Sequence, residues 1–210
     1  MARSLPATVK MSAASKRCSG NFGLAAACGK VLRQLLLPVL PFSKDRRMQV
    51  KFSGSIARWL GAADITTLPA ATTLPYVSSF QFNAATGIAQ RWKTALTVEQ
   101  TADGNIVIQI PAFIPTQSIS APADCVEVEC VFMVAGCQLA HAAGTGSNRA
   151  TMVIPYTKVP VSTPTIELVV NTLPGQVILT VAAMRYRTGN GIYCRLPAYL
   201  PASVIDARYT

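Results

Sequence analysis

The hydrophobic period changes once along this 210-residue chain, and that change limits the folds open to it. Ahead of residue 62 apolar side chains recur at helical spacing, and beyond residue 76 they alternate at a spacing of two. In the first stretch Leu24, Cys28, Val31, Leu32 and Leu35 fall at i, i+4, i+7, i+8 and i+11, with Lys30 and Arg33 off that face. Pro38 and Pro41 end this helix. Ser43 is placed to cap a second one, with Asp45 in its first turn, where a carboxylate meets the positive end of the helix dipole. Met48, Phe52, Ile56 and Trp59 then line one side, Arg47, Lys51 and Arg58 another, and Gly61 closes the helix. Residues 1–20, basic and rich in Ser and Ala, read as an extended arm.

The period-two region gives candidate strands at 77–83, 94–100, 105–110, 125–134, 150–156, 165–171, 176–184, 191–196 and 202–208. Turn residues separate them: "ADGN" at 102–105, "GTGSN" at 144–148, "LPG" at 173–175 and "TGNG" at 188–191. Many short strands with no helical pattern between them predict a mainly β protein. The expected architecture is an antiparallel β-sandwich, Ig-like or jelly-roll-like, preceded by an N-terminal extended arm and two short amphipathic helices. The expected organisation is a basic arm and helical hairpin at 1–61, a Thr/Pro/Ala-rich linker at 62–76 and a β-sandwich body at 77–210.

Charge is distributed as unevenly as periodicity. Residues 1–60 contain eleven of the nineteen Lys and Arg but one acid, Asp45, so this segment carries the whole formal charge of +10. The remainder is neutral and the chain as a whole is only 13% charged, which suits a surface that is buried or used in assembly. A cationic front on a neutral body suggests nucleic acid, an anionic lipid surface or an acidic patch on another subunit. Phosphate binding would draw on a basic face of Arg33, Arg46, Arg47, Lys51 and Arg58, with Trp59 as a stacking ring. The plainer alternative is a solvated helix face with Trp59 in the core.

Catalytic and metal chemistry find little footing. Glu127 and Glu129 would share one face of a strand and could act as an acid/base pair, but the solvated side of a half-buried strand is the preferred reading. His141 stands alone before a Gly-rich loop, and "GTGSNR" lacks the Lys-Ser/Thr ending of a P-loop. Six cysteines with no CxxC pair and a single histidine argue against structural zinc, and buried free thiols are expected. No enzyme and no cofactor is expected. "LAAAC" ending at Cys28 has the look of a lipoprotein cleavage box, yet Ser19, Gly20 and Asn21 interrupt the apolar stretch, and a helix start is the preferred reading, with no clear signal peptide. No apolar run approaches the roughly 20 residues of a membrane span, so integral insertion is not expected.

The leader "NFGLAAACGKVLRQLLLPVL", the "KDRRMQVKFSGSIARWL" helix, "FQFN", "IPAFIP" and the terminal "NGIY" together resemble the pattern of uncharacterised β-rich proteins of Bacteroidota, a domain of unknown function. The matching residues are Phe22, Gly23, Leu32, Arg33, Asp45, Met48, Phe80, Asn83, Pro111, Phe113, Pro115, Asn190, Gly191 and Tyr193. The resemblance implies a β-sandwich with a helical leader and brings no catalytic residues.

The functional expectation is a structural subunit that self-assembles into a filament, tube or shell of identical copies. Phe22, Leu24, Leu32, Leu35, Phe52 and Trp59 would form the assembly interface, burying against the body or a neighbour. The alternative is a coat-like protein whose basic arm contacts nucleic-acid phosphates.

Overall fold

The computed structural model describes residues 12–42, 44–63, 69 and 72–210. Two long helices open the chain: α1, Ala13–Leu35, and α2, Arg46–Ala62. The Ser12 hydroxyl caps α1 by accepting from the Ser15 N–H, so residues 13–20 are helical rather than an extended arm; the expected arm otherwise lies outside the described residues. Asp45, not Ser43, caps α2, its carboxylate accepting from the Met48 N–H at 3.0 Å; Ser43 lies outside the described residues.

A short β1, Thr72–Thr73, and a four-residue α3, Ile88–Arg91, follow. Next come β2, Thr97–Gln100, β3, Ile106–Gln109, and α4, Pro115–Ser118. The large strands are β4, Cys125–Gln138, β5, Ala143–Pro155, β7, Gln176–Thr188, and β8, Ala202–Tyr209, with β6 at Thr165–Leu168. They make two antiparallel sheets, one in the order β1-β8-β7-β4-β5 and one in the order β2-β3-β6. Among the described residues the protein is thus mainly β, with four α-helices.

Strand alternation divides the large sheet between two cores. Val131, Met133, Ala135 and Cys137 of β4, with Val177, Leu179 and Val181 of β7, join Leu32, Phe52, Ile56 and Trp59 of the helices. Val128, Cys130, Phe132 and Val134 of β4, with Ile178, Met184 and Tyr186 of β7, join Ile106, Ile108 and Leu168 of the small sheet. The order of layers is helices, large sheet, small sheet. β4 is covered on both faces, which explains its near-continuous apolar run from Cys130 to Cys137.

Three expected elements are corrected. Residues 77–83 form a turn held by Ser78 N–H to Leu74 C=O at 2.8 Å, with Ser79 in the left-handed region at φ 71° and one bridge, Gln81 to Ser203. The Phe80/Phe82 alternation marks a pairing only one bridge long, in which Val204 N–H donates to Phe80 C=O and Phe82 N–H to Ala202 C=O, while both rings pack on Phe52. Residues 191–196 contribute a single bridge from Tyr193 to Arg187. "GTGSN" lies within β5, and the chain reverses instead at the 3-10 turn Leu139–His141 with Ala142 at φ 46°. Gly146 faces Gly136 across the ladder; a methyl on Gly136 would sit 2.4 Å from Thr145 Oγ1, so the glycines permit a close, bulged pairing where a loop was expected.

Candidate anion-binding surface

Packing decides which helix side chains can meet a ligand. Leu32 and Phe52 have no exposed surface and Trp59 is 2% exposed, all three within the chain's own core. Leu24 and Leu35 are half-buried against the same cluster, while Phe22 is 61% exposed on the outer side of α1. Trp59 packs on Tyr209 with ring centroids 5.5 Å apart, so no face is open for stacking on a base. The proposed interface residues therefore separate: Phe22 reaches solvent, and Leu32, Phe52 and Trp59 do not.

The cations take the opposite side. Arg47, Lys51 and Arg58 are exposed and spaced four and seven apart, which places them on one stripe of α2 at 100° per residue. Arg58 lies over the Tyr76 ring, 5.5 Å from its centroid. Arg46 is exposed in the first turn. On α1, Lys30 and Arg33 border a groove of about 340 Å³ where the hairpin closes, lined also by Gln34, Leu37, Leu40 and Gln49. Nearby the two helices approach closely at Gly29, where a Cβ would meet Ser53 Oγ at 2.9 Å. Arg33 donates through Nε to Gly29 C=O at 3.1 Å, and burial holds its guanidinium below its ordinary value.

Among the described residues no carboxylate pairs with these cations. The ion pairs among the described residues are Glu127–Arg187 at 3.6 Å and Asp206–Arg208 at 2.7 Å, both in the large sheet. Asp45, the acid of the leader, is occupied as the α2 cap. The positive field of Lys30, Arg33, Arg46, Arg47, Lys51 and Arg58 is consequently uncompensated at contact distance among the described residues, and it faces away from the sheets.

The other candidates lie elsewhere. Glu127 pairs Arg187, and Glu129 accepts from Tyr193, a contact that raises the Tyr193 phenol. The two glutamates stand opposite Arg187 and Arg185 in the β4–β7 register, which makes them cross-strand charge partners. His141 is exposed in the β4–β5 reversal. Among the described residues no three His, Cys, Asp or Glu side chains are placed to hold a metal ion, and no helix is long and apolar enough to cross a membrane.

Lys30, Gln34, Gln49 and Tyr76 were not singled out from sequence as site residues. Lys30, Arg33 and Gln34 share an i, i+3, i+4 polar stripe that could have found the groove, whereas Tyr76 follows the helices by a stretch with no periodic signal. No family model, curated protein or solved structure matches this chain, so its geometry alone carries the functional reading.

Proposed function

We propose that the protein is a non-catalytic subunit that holds a polyanion of nucleic-acid type against the outer face of its helical layer. One observation carries this reading: six cations on that layer, without a carboxylate in contact among the described residues, face away from the core that the same helices complete. Binding of this kind releases counterions, so for duplex DNA the logarithm of affinity falls by about 0.9 per phosphate contact for each tenfold rise in salt. The test is anisotropy of a labelled 30-base-pair duplex titrated with full-length protein between 50 and 200 mM salt. The triple variant Arg47→Gln, Lys51→Gln, Arg58→Gln should lower the salt slope by about 2 to 3. No binding at 50 mM salt, or an unchanged slope in the variant, overturns the reading.

A second reading, the self-assembling structural subunit, is favoured by a different feature. β5 is a 13-residue edge strand that pairs only with β4 and carries one charged residue, Arg149, which leaves a long, lightly guarded edge for strand addition by another copy. Sedimentation velocity should then find oligomers that Thr151→Pro abolishes; a monomer at every concentration sinks it. In both readings the sheets make an antiparallel sandwich of Ig-like or jelly-roll-like type, and kinship with the β-rich Bacteroidota proteins is part of the proposal.

A further inference from the structure

None of the six cysteines has a role in the surface described above, and two of the six touch. Cys28 on α1 and Cys137 on β4 are each without exposed surface, in the same core, and their thiols are hydrogen-bonded to one another. The contact joins the helical layer to β4, an inner strand of the large sheet, two elements far apart in sequence. The remaining thiols are differently placed: Cys18 is exposed on α1, and Cys130 faces the other core with Cys125.

We propose that Cys28 and Cys137 form an oxidation site, whose disulfide fastens the helical layer covalently to the large sheet. The co-reactant is a small disulfide of the glutathione type. The Cys137 thiolate attacks one sulfur of the oxidant, the oxidant's S–S bond breaks, and one glutathione thiolate leaves. Cys28 loses its proton to that thiolate, its sulfur attacks the Cys137 sulfur of the mixed disulfide, and the second glutathione leaves. Two protein thiols are oxidised and one oxidant disulfide is reduced to two thiols. In the docked state the Cys28 side chain donates to Cys137, so the bond joins two sulfurs that packing already holds beside one another. Because both sulfurs are buried, exchange takes place while α1 is lifted from the sheet or before it docks, and docking then holds the bond.

Full-length protein refolded in a buffer of reduced and oxidised glutathione, alkylated and digested without reductant, tests this by mass spectrometry. The expected result is one peptide linking Cys28 to Cys137 with the other four cysteines alkylated, and a melting midpoint higher by on the order of 10 °C that returns with dithiothreitol. Six alkylated cysteines, or linkage through Cys18, Cys125, Cys130 or Cys194 instead, overturns it. Cys28→Ala should lose both the link and the shift; should that variant fail to fold, the peptide map of the unaltered chain decides alone.

Discussion

Phe52 joins the helical layer to the segment that crosses the sheet edge: it has no exposed surface, and its ring lies 5.1 Å from Phe80 and 5.3 Å from Phe82. Phe52→Ala would leave a cavity among three rings and should cost about 3 to 5 kcal/mol, read as a lower urea midpoint at unchanged slope. Titration gives a second residue-scale test. Burial raises the Cys130 thiol from an ordinary value near 9.0 and the Tyr186 phenol from near 10.0, and neither has a cation that reverses the shift. Both groups hold their protons more tightly folded than unfolded, so their stabilisation is complete below pH 9 and is lost as pH rises through the window above it. The melting midpoint should be flat from pH 7 to 8 and fall beyond pH 9, and Cys130→Ala should make that fall shallower. At this scale the sequence was a good guide to who is buried: Cys28, Leu32, Met48, Phe52, Ile56 and Trp59 all fell on the right side of their helices. It could not show that Cys28 would meet Cys137, because a contact between a helix and a strand far away in sequence leaves no periodic trace.

Both helices were legible as elements because each carries a full apolar stripe, and β2 through β8 because alternation and turn residues bound them. Errors arose where local chemistry imitates a ladder or a loop. Phe80 and Phe82 alternate like a strand but follow a turn and pair with β8 for one bridge only, and the glycines of β5 read as a loop although they serve a close pairing with β4. The start of α2 offers an element-scale test that separates folding from binding. Asp45→Ala removes the cap on the Met48 N–H and should cost about 1 kcal/mol of stability. The same change deletes the single acid of residues 1–60, so affinity for a duplex at low salt should hold or rise while the melting midpoint drops. Parallel losses in stability and binding would instead mean that the cations work only through the intact first turn of α2.

For the molecule as a whole, the helical layer is the question, since the same residues could belong to a detachable arm or to the fold. The large sheet supplies Val131, Met133, Val177, Leu179 and Val181 to a core covered mainly by α1 and α2, with Leu74, Val77 and Phe82 of the following segment at its side. Arg185 of β7 also donates to Pro38 C=O at 3.0 Å, tying the turn between the helices to the sheet. Sequence gave the amphipathic stripe but not its destination, because a stripe has the same period whether it docks on its own sheet or on a neighbour's. A chain beginning at Ala63 would expose one whole apolar sheet face and should be insoluble or a dye-binding aggregate, while the full chain runs as a compact species on size exclusion. A soluble, cooperatively folding fragment would mean that the sheets carry a complete core without the helices, and the helical pair would then be free to act as an arm. Salt distinguishes the forces involved: helix docking is apolar and should persist at 1 M salt, where screening over about 3 Å removes the attraction of the outer cations for phosphate. Full-length protein that keeps its melting midpoint at 1 M salt but releases the duplex would thus assign the inner face of the helices to folding and the outer face to binding.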